Sequence, residues 1–104
     1  MRMMVKFQIP VASGNEGVRT GKIAKVMKTI MSELKPEAAY FYTEAGERTG
    51  FMVIDMQESS QVAGVAELFF QGLNAGVEMT PVMSAEDLEK ALSGVEATIQ
   101  NLDR

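Results

Sequence analysis

Two absences restrict the chemistry that the side chains of this 104-residue sequence can perform. The sequence contains no cysteine and no histidine. Thiol nucleophiles, disulfides, iron–sulfur clusters and zinc–thiolate sites are therefore excluded, and so are imidazole bases and the commonest transition-metal ligand. Binding or catalysis is left to carboxylates, lysine, arginine, tyrosine, amides and the backbone. We expect no metal and no cofactor, and the sequence singles out no particular reaction.

One pair of opposite charges lies on two predicted strands. Lys6 and Gln8 alternate with apolar residues, a period-two pattern that predicts a strand with one face in the core. Glu78 and Thr80 alternate with apolar residues in the same way. If these strands are neighbours, Lys6 and Glu78 meet and either hold a carboxylate ligand or act as acid and base, because burial and a charged partner shift pKa values. The alternative is a structural ion pair or a polar contact in a dimer interface.

Two tyrosines, Tyr40 and Tyr42, lie on another predicted strand that is rich in aromatic residues. Their rings are suited to orienting a planar ligand, although strand tyrosines also pack simply with their hydroxyls in water. The candidate pocket consists of Lys6, Gln8, Tyr40, Tyr42, Glu78 and Thr80.

Composition indicates one globular domain over residues 1–104, since 46% of the residues are hydrophobic and 23% are charged. A net charge of −4 argues against nucleic-acid binding, which depends on clustered basic residues. Polar residues interrupt the N-terminus too early for a secretory signal, and no apolar run approaches the roughly 18 residues of a membrane span. We therefore predict a cytoplasmic protein with no nucleic-acid and no membrane partner.

The charges are distributed unevenly along the chain. Residues 1–36 carry 7 basic and 2 acidic side chains, whereas residues 37–104 carry 3 basic and 12 acidic ones. A basic row of Lys22, Lys25 and Lys28, together with Arg19, is suited to an acidic partner, such as the glutamate-rich last helix of another subunit. The alternative is an ordinary solvated helix face.

The spacing of apolar residues predicts seven elements in the order βαββαβα. A glycine-rich loop over residues 11–21 separates the first strand from a helix that begins near Val18 and stops before Pro36. Ser84 and Asp87 predict a capped start for the last helix. The predicted elements are a strand at 3–9, a helix, a hairpin of strands at 38–43 and 50–56, a helix through Leu73, a strand at 77–82 and a last helix through Leu102.

Two βαβ crossovers that flank a hairpin define an α+β, ferredoxin-like fold, here βαββαβ with an extra C-terminal helix. Right-handed crossovers and short connections give a four-stranded antiparallel sheet in the order 4-1-3-2. Pro81 lies in the fourth strand, and this order puts that strand at an edge of the sheet, where a proline is tolerated.

The sheet face opposite the helices is predicted to be unusually apolar. The third strand is apolar on both sides, since Phe51 and Val53 alternate with Met52 and Ile54, and Met4 joins the same open face. Soluble monomers rarely expose an apolar patch of this size, so we expect a homodimer through the open sheet face. Coverage by the last helix of the same chain is the competing explanation.

The segments at residues 50–55 and 77–82, together with the acidic last helix, resemble the dimeric α/β-barrel superfamily. Within it, the pattern is most similar to small uncharacterised bacterial proteins distantly related to muconolactone isomerase and to cofactor-free, quinone-forming monooxygenases. The resemblance implies a dimer whose two sheets close a barrel, with ligand pockets in the lumen or between sheet and helices. Enzymes of this superfamily often use histidine or tryptophan, which this sequence lacks. Their catalytic residues therefore do not transfer.

These observations predict a homodimeric α/β-barrel protein of unknown function that binds a small aromatic or carboxylate-bearing molecule. Two alternatives stay open: an enzyme resembling the cofactor-free monooxygenases and isomerases, and a purely structural dimerisation module.

Overall fold

The computed structural model of the protein describes residues 1–103 and shows an α+β fold of four strands and four helices. The predicted ferredoxin-like arrangement with an added C-terminal helix is confirmed. The elements in chain order are β1 (Arg2–Ile9), α1 (Val11–Thr20), α2 (Lys22–Leu34), β2 (Ala38–Glu44), β3 (Glu47–Asp55), α3 (Gln61–Leu73), β4 (Gly76–Pro81) and α4 (Ala85–Leu102).

The strands form one antiparallel sheet in the order β2-β3-β1-β4. This is the predicted order 4-1-3-2 counted from the opposite edge. Pro81 lies at the end of the edge strand β4, opposite Met3. β1 is an inner strand with β3 and β4 as neighbours, and the register puts Lys6 between Phe51 and Glu78.

The core lies between one face of the sheet and the helices. Residues of β1 alternate between half-buried and buried along the whole strand, and Val5 is completely buried. Ile30 of α2 and Phe69 of α3 are completely buried as well, and the Phe69 ring packs on Phe7 with centroids 4.9 Å apart. Because successive strand residues point to opposite faces, Lys6 and its same-side neighbours on β1 face away from the helices.

The segment over residues 11–21, predicted to be a loop from its glycines, is largely helical. α1 fills it, and Gly21 separates α1 from α2 in the left-handed conformation (φ 78°). Gly14 and Gly17 are buried, and a Cβ on Gly17 would lie 2.6 Å from the Ile23 side chain. These two glycines therefore permit close packing rather than chain reversal, a distinction that composition does not make.

The β2–β3 turn determines which aromatic side chains share a face. Ala45 (φ 52°) and Gly46 (φ 77°) both adopt left-handed conformations, as a two-residue type I′ hairpin requires. The resulting register pairs Tyr40 with Phe51, and Tyr42 lies two residues further along β2. Both tyrosines consequently lie on the face away from the helices.

The last helix projects from the body of the domain. Its predicted cap is confirmed, since Ser84 Oγ accepts from the Asp87 backbone N–H (3.1 Å) and the Asp87 carboxylate accepts from the Ser84 N–H (3.0 Å). No α4 residue is buried. An 18-residue helix is about 27 Å long, and the molecule measures 62 × 28 × 21 Å. α4 therefore extends as an arm and does not cover the open sheet face.

Within residues 1–103, none of the helices combines the length and the apolar character needed to cross a membrane.

The Phe7–Phe69 contact predicts a sharp difference between two adjacent phenylalanines. Phe69→Ala should lower the free energy of unfolding by about 3–5 kcal/mol, because it leaves a cavity in the core. Phe70, 45% exposed on the same helix, is the matched control, and Phe70→Ala should cost about 1 kcal/mol or less. Urea denaturation followed by circular dichroism measures both, and equal costs would contradict the core described above.

Candidate functional site

The candidate residues lie on the sheet surface opposite the helices, which we call the open face. One row of paired residues crosses the whole sheet there: Tyr40 is opposite Phe51, Phe51 is opposite Lys6, and Lys6 is opposite Glu78. Paired residues of antiparallel strands point to the same side. The open face consequently changes from aromatic at the β2 edge to charged at the β4 edge.

Lys6 forms its ion pair with a residue outside the predicted pocket. Its Nζ lies 2.6 Å from Glu44 Oε2, so the lysine reaches over β3 to the end of β2. Tyr42 Oη donates to Glu44 Oε1 (3.3 Å), and Gln8 Nε2 donates to the Glu44 backbone carbonyl (3.2 Å). Glu44 thus accepts hydrogen bonds from three of the predicted site residues. We call Lys6, Gln8, Tyr42 and Glu44 the polar cluster.

The predicted strand ends at residue 43 and so leaves Glu44 in the turn, whereas β2 includes it. The signal that identifies it is parity, because Glu44 is two residues from Tyr42 and four from Tyr40 on β2, and residues at even spacing share a face. Thr49 lies on the same face and is only 3% exposed. The polar side chains around it therefore cover this part of the sheet.

The prediction that Lys6 and Glu78 meet is correct for the pairing of their strands but not for the contact of their side chains. The two residues are directly paired across β1 and β4. The ammonium group of Lys6, however, hydrogen-bonds to Glu44, and Glu78 acts on it only as a more distant negative charge that helps to raise the Lys6 pKa. Thr80 is paired with Met4, one step further along β4 on the same face, away from the polar cluster.

Within the polar cluster, the pKa values of Lys6 and Glu44 move in opposite directions. The hydrogen bond to Glu44 raises the pKa of Lys6 above its ordinary value of 10.5, and the same bond lowers the pKa of Glu44 below 4.5. Both side chains are consequently charged at neutral pH. A general acid or base works best with a pKa near the working pH. This pair is therefore suited to holding a fixed arrangement of charges, rather than to exchanging protons.

Three aromatic rings form a wall beside the polar cluster. Phe51 packs between Tyr40 (centroids 5.4 Å apart) and Tyr42 (6.2 Å, edge to face). Tyr40 is 61% exposed and Tyr42 40%. Rings arranged in this way offer flat and edge-on surfaces to a planar molecule.

Of the concave regions among residues 1–103, two lie on opposite sides of the sheet. A cleft of about 230 Å³ between β1 and β4 is lined by Lys6, Gln8, Gly76 and Glu78 among others. A larger groove of about 550 Å³ lies between α2 and α3 and is mostly apolar. The larger groove shares no residue with the polar cluster, so volume alone does not identify the site. Among residues 1–103, no three acidic side chains are grouped closely enough to hold a metal ion.

The fold and the open face define a small α+β protein with a ferredoxin-like sheet, one uncovered sheet face and a projecting C-terminal helix. Residues 1–96 match a family described as a domain of unknown function (DUF3303), and the chain belongs to this family. No protein with a curated description matches the chain.

The Lys6–Glu44 ion pair predicts how stability depends on pH. Because the Glu44 pKa is lower in the folded state, the contribution of Glu44 is present above about pH 4.5 and is lost as the pH falls through its folded pKa. Because the Lys6 pKa is raised, the contribution of Lys6 is present below about pH 10.5 and is lost as the pH rises through its folded pKa.

The measurement compares wild type with Glu44→Gln by urea denaturation at about pH 7 and about pH 3. Wild type should be the more stable at neutral pH, and the difference should shrink in acid. Glu33→Gln, which alters an exposed carboxylate of α2, should leave the difference from wild type unchanged between these two pH values. A Glu44→Gln difference that is constant over this pH range would contradict the ion pair.

Proposed function

We propose that this protein is a homodimer whose open sheet faces meet to form an α/β barrel, and that it binds a small planar aromatic molecule between them. The observation that carries the proposal is the row from Tyr40 through Phe51 to Lys6, which places exposed aromatic rings beside a fixed set of hydrogen-bonding groups.

The dimer is supported by the surface that a single chain leaves uncovered. Tyr40 and Tyr42 are well exposed, and Met4, Phe51 and Val53 beside them are only half-buried. Helices occupy the other face of the sheet, and α4 points away from it. Apolar surface of this extent marks an interaction site in soluble proteins. The resemblance to the dimeric α/β-barrel superfamily supports a second copy as the partner.

The charges of the site favour a neutral aromatic ligand over a carboxylate. The positive charge of Lys6 is already matched by Glu44, and Glu78 stands opposite Lys6 on β4. A carboxylate ligand would therefore enter a region that holds one positive and two negative charges. A neutral ring can instead accept a hydrogen bond from Lys6, since an ammonium group has three donors and Glu44 uses one of them.

A purely structural role of the same interface is the rival function. It is favoured by the same aromatic side chains, because tyrosine and phenylalanine are enriched in interfaces that bind nothing else. The two functions differ in whether the folded protein gains stability from a small molecule.

A thermal-shift panel separates the two functions. Neutral phenols, aromatic amides and quinones should raise the melting temperature by several degrees when they are in large excess over Kd, because a ligand of the folded state stabilises it by mass action. Benzoates with the same rings should raise it less. A larger shift with the benzoates would favour a carboxylate ligand, and no shift with any compound would leave only the structural role.

The ring of Tyr40 should contribute directly to ligand affinity. Tyr40→Ala should weaken binding of the best compound by about fivefold, or about 1 kcal/mol, because a stacking partner is lost. Phe41→Ala is the matched control, since Phe41 is the next residue, is 56% exposed and lies on the opposite face. Isothermal titration calorimetry measures both. Equal losses would place the ligand elsewhere.

The dimer makes a separate prediction. Wild type should scatter light as a particle of about twice 11.4 kDa, and Val53→Lys should reduce it to the monomer mass, because a charge at the centre of the open face would be buried without a partner. Val62→Lys, which replaces a valine 40% exposed on α3, is the control and should remain dimeric. A wild-type protein that is monomeric in dilute solution would overturn the proposed dimer.

A further inference from the structure

The projecting helix α4 carries an apolar stripe that no other part of residues 1–103 covers. The stripe residues are spaced alternately four and three positions apart, the pattern by which helices pack against other helices. Every one of them is at least 44% exposed. Most of the stability of such a helix comes from packing of its apolar face. The stripe consists of Leu88, Leu92, Val95, Ile99 and Leu102.

One edge of this stripe carries acidic residues, and the other edge carries small, uncharged residues. Glu89, Glu96 and Asp103 each follow a stripe residue directly, seven positions apart, whereas Ala91 and Thr98 lie on the other edge. Two antiparallel copies of α4 would bring their acidic edges together, and two parallel copies would set acids against Ala91 and Thr98. Pairing of α4 with another α4 is therefore poorly matched, and the stripe requires a partner with a basic edge.

The groove between α2 and α3 has the complementary features. Val26, Ile30 and Leu68 contribute its apolar lining, and its volume of about 550 Å³ makes it the largest concave region described above. Lys22 and Lys25 line it from the α2 side and Glu67 lines it from the α3 side, so an acidic helix edge fits along α2 and not along α3.

The α3 side of the groove has no side chain at Gly64. A Cβ added to Gly64 would meet nothing within 4 Å, so this position leaves room for a second helix to approach closely.

The start of α4 is fixed in a direction that keeps the stripe away from its own groove. Arg2 donates to Asp87 in the first turn of α4 (3.0 Å) and also to Glu37 (2.7 Å). The Val82 N–H donates to the Arg2 carbonyl (3.1 Å), and this hydrogen bond attaches the short connection between β4 and α4 to β1. With both ends of this connection held, the remainder of α4 extends along the 62 Å axis of the molecule.

From these observations we infer that α4 of one copy lies in the α2–α3 groove of a second copy, with its acidic edge along Lys22 and Lys25. Two-fold symmetry makes the exchange reciprocal. The inference rests on the proposed homodimer but uses a different surface from the open face, so the two can be tested apart.

The absence of cysteine allows a direct test by disulfide crosslinking. Val95→Cys puts a thiol on the stripe, and Gly64→Cys puts one in the groove, where the added side chain has space. The two single variants are unfolded together, refolded and oxidised, and the mixed disulfide is identified by mass. We expect it to be the main product. Ala97→Cys, two positions along on the other side of α4, is the control and should give little product.

The remaining outcomes separate the inference from the proposed dimer. A third variant, Thr80→Cys, reports on the open face. If Val95→Cys crosslinks to Thr80→Cys instead of to Gly64→Cys, α4 covers the partner's sheet and the inference is wrong. A dimer by light scattering with no Val95→Cys crosslink overturns the inference alone, and a monomer with no crosslink overturns both. If Gly64→Cys fails to fold, Thr29→Cys on the α2 side replaces it.

The charges give a second measurement on the same assay. Lys22→Glu with Lys25→Glu in the groove chain should lower the yield of the mixed disulfide. Glu89→Lys with Glu96→Lys in the arm chain should then restore it. Equal yields in all combinations would show that the two edges do not meet.

Discussion

The alternation of buried and half-buried residues along β1 fixes the two faces of the sheet. Every second residue of this inner strand is buried under the helices, and Val5 is completely buried between Met52 and Met79 on the neighbouring strands. Shifting the strand by one residue would place the apolar set on the wrong side. Lys6 and Gln8 must therefore lie on the open face. The packing of the core on one side of β1 thus fixes the position of the polar cluster on the other side.

Two of the exposed apolar surfaces among residues 1–103 have no partner in a single chain. The first is the aromatic part of the open face, and the second is the stripe of α4, none of whose residues is buried. Both are apolar, and both are bordered by charges that restrict what can cover them. A chain of 104 residues buries about 65% of the surface that its unfolded form exposes, a smaller fraction than a larger domain buries. Assembly with a second copy is the most direct way to remove both surfaces from water.

The polar cluster explains why the missing histidine matters. An imidazole on the open face would titrate near neutrality, whereas the Lys6–Glu44 bond moves both groups away from neutrality, the lysine upward in pKa and the glutamate downward. The cluster holds fixed donors and acceptors beside Phe51 and the two tyrosines. Such a surface is suited to a ligand of matching shape and hydrogen-bonding pattern, which is the basis of the binding function proposed above.

Local periodicity and chain connectivity were sufficient to predict the faces of β1 and β4, the ferredoxin-like order, the edge position of Pro81 and the pairing of Lys6 with Glu78. The place of Gly17 in a helix could not be predicted in this way, since its close approach to Ile23 comes from packing between α1 and α2. The tertiary structure also decided that Lys6 bonds to Glu44. A long side chain selects among all acceptors that folding brings within reach, and those acceptors come from strands that are neighbours in space.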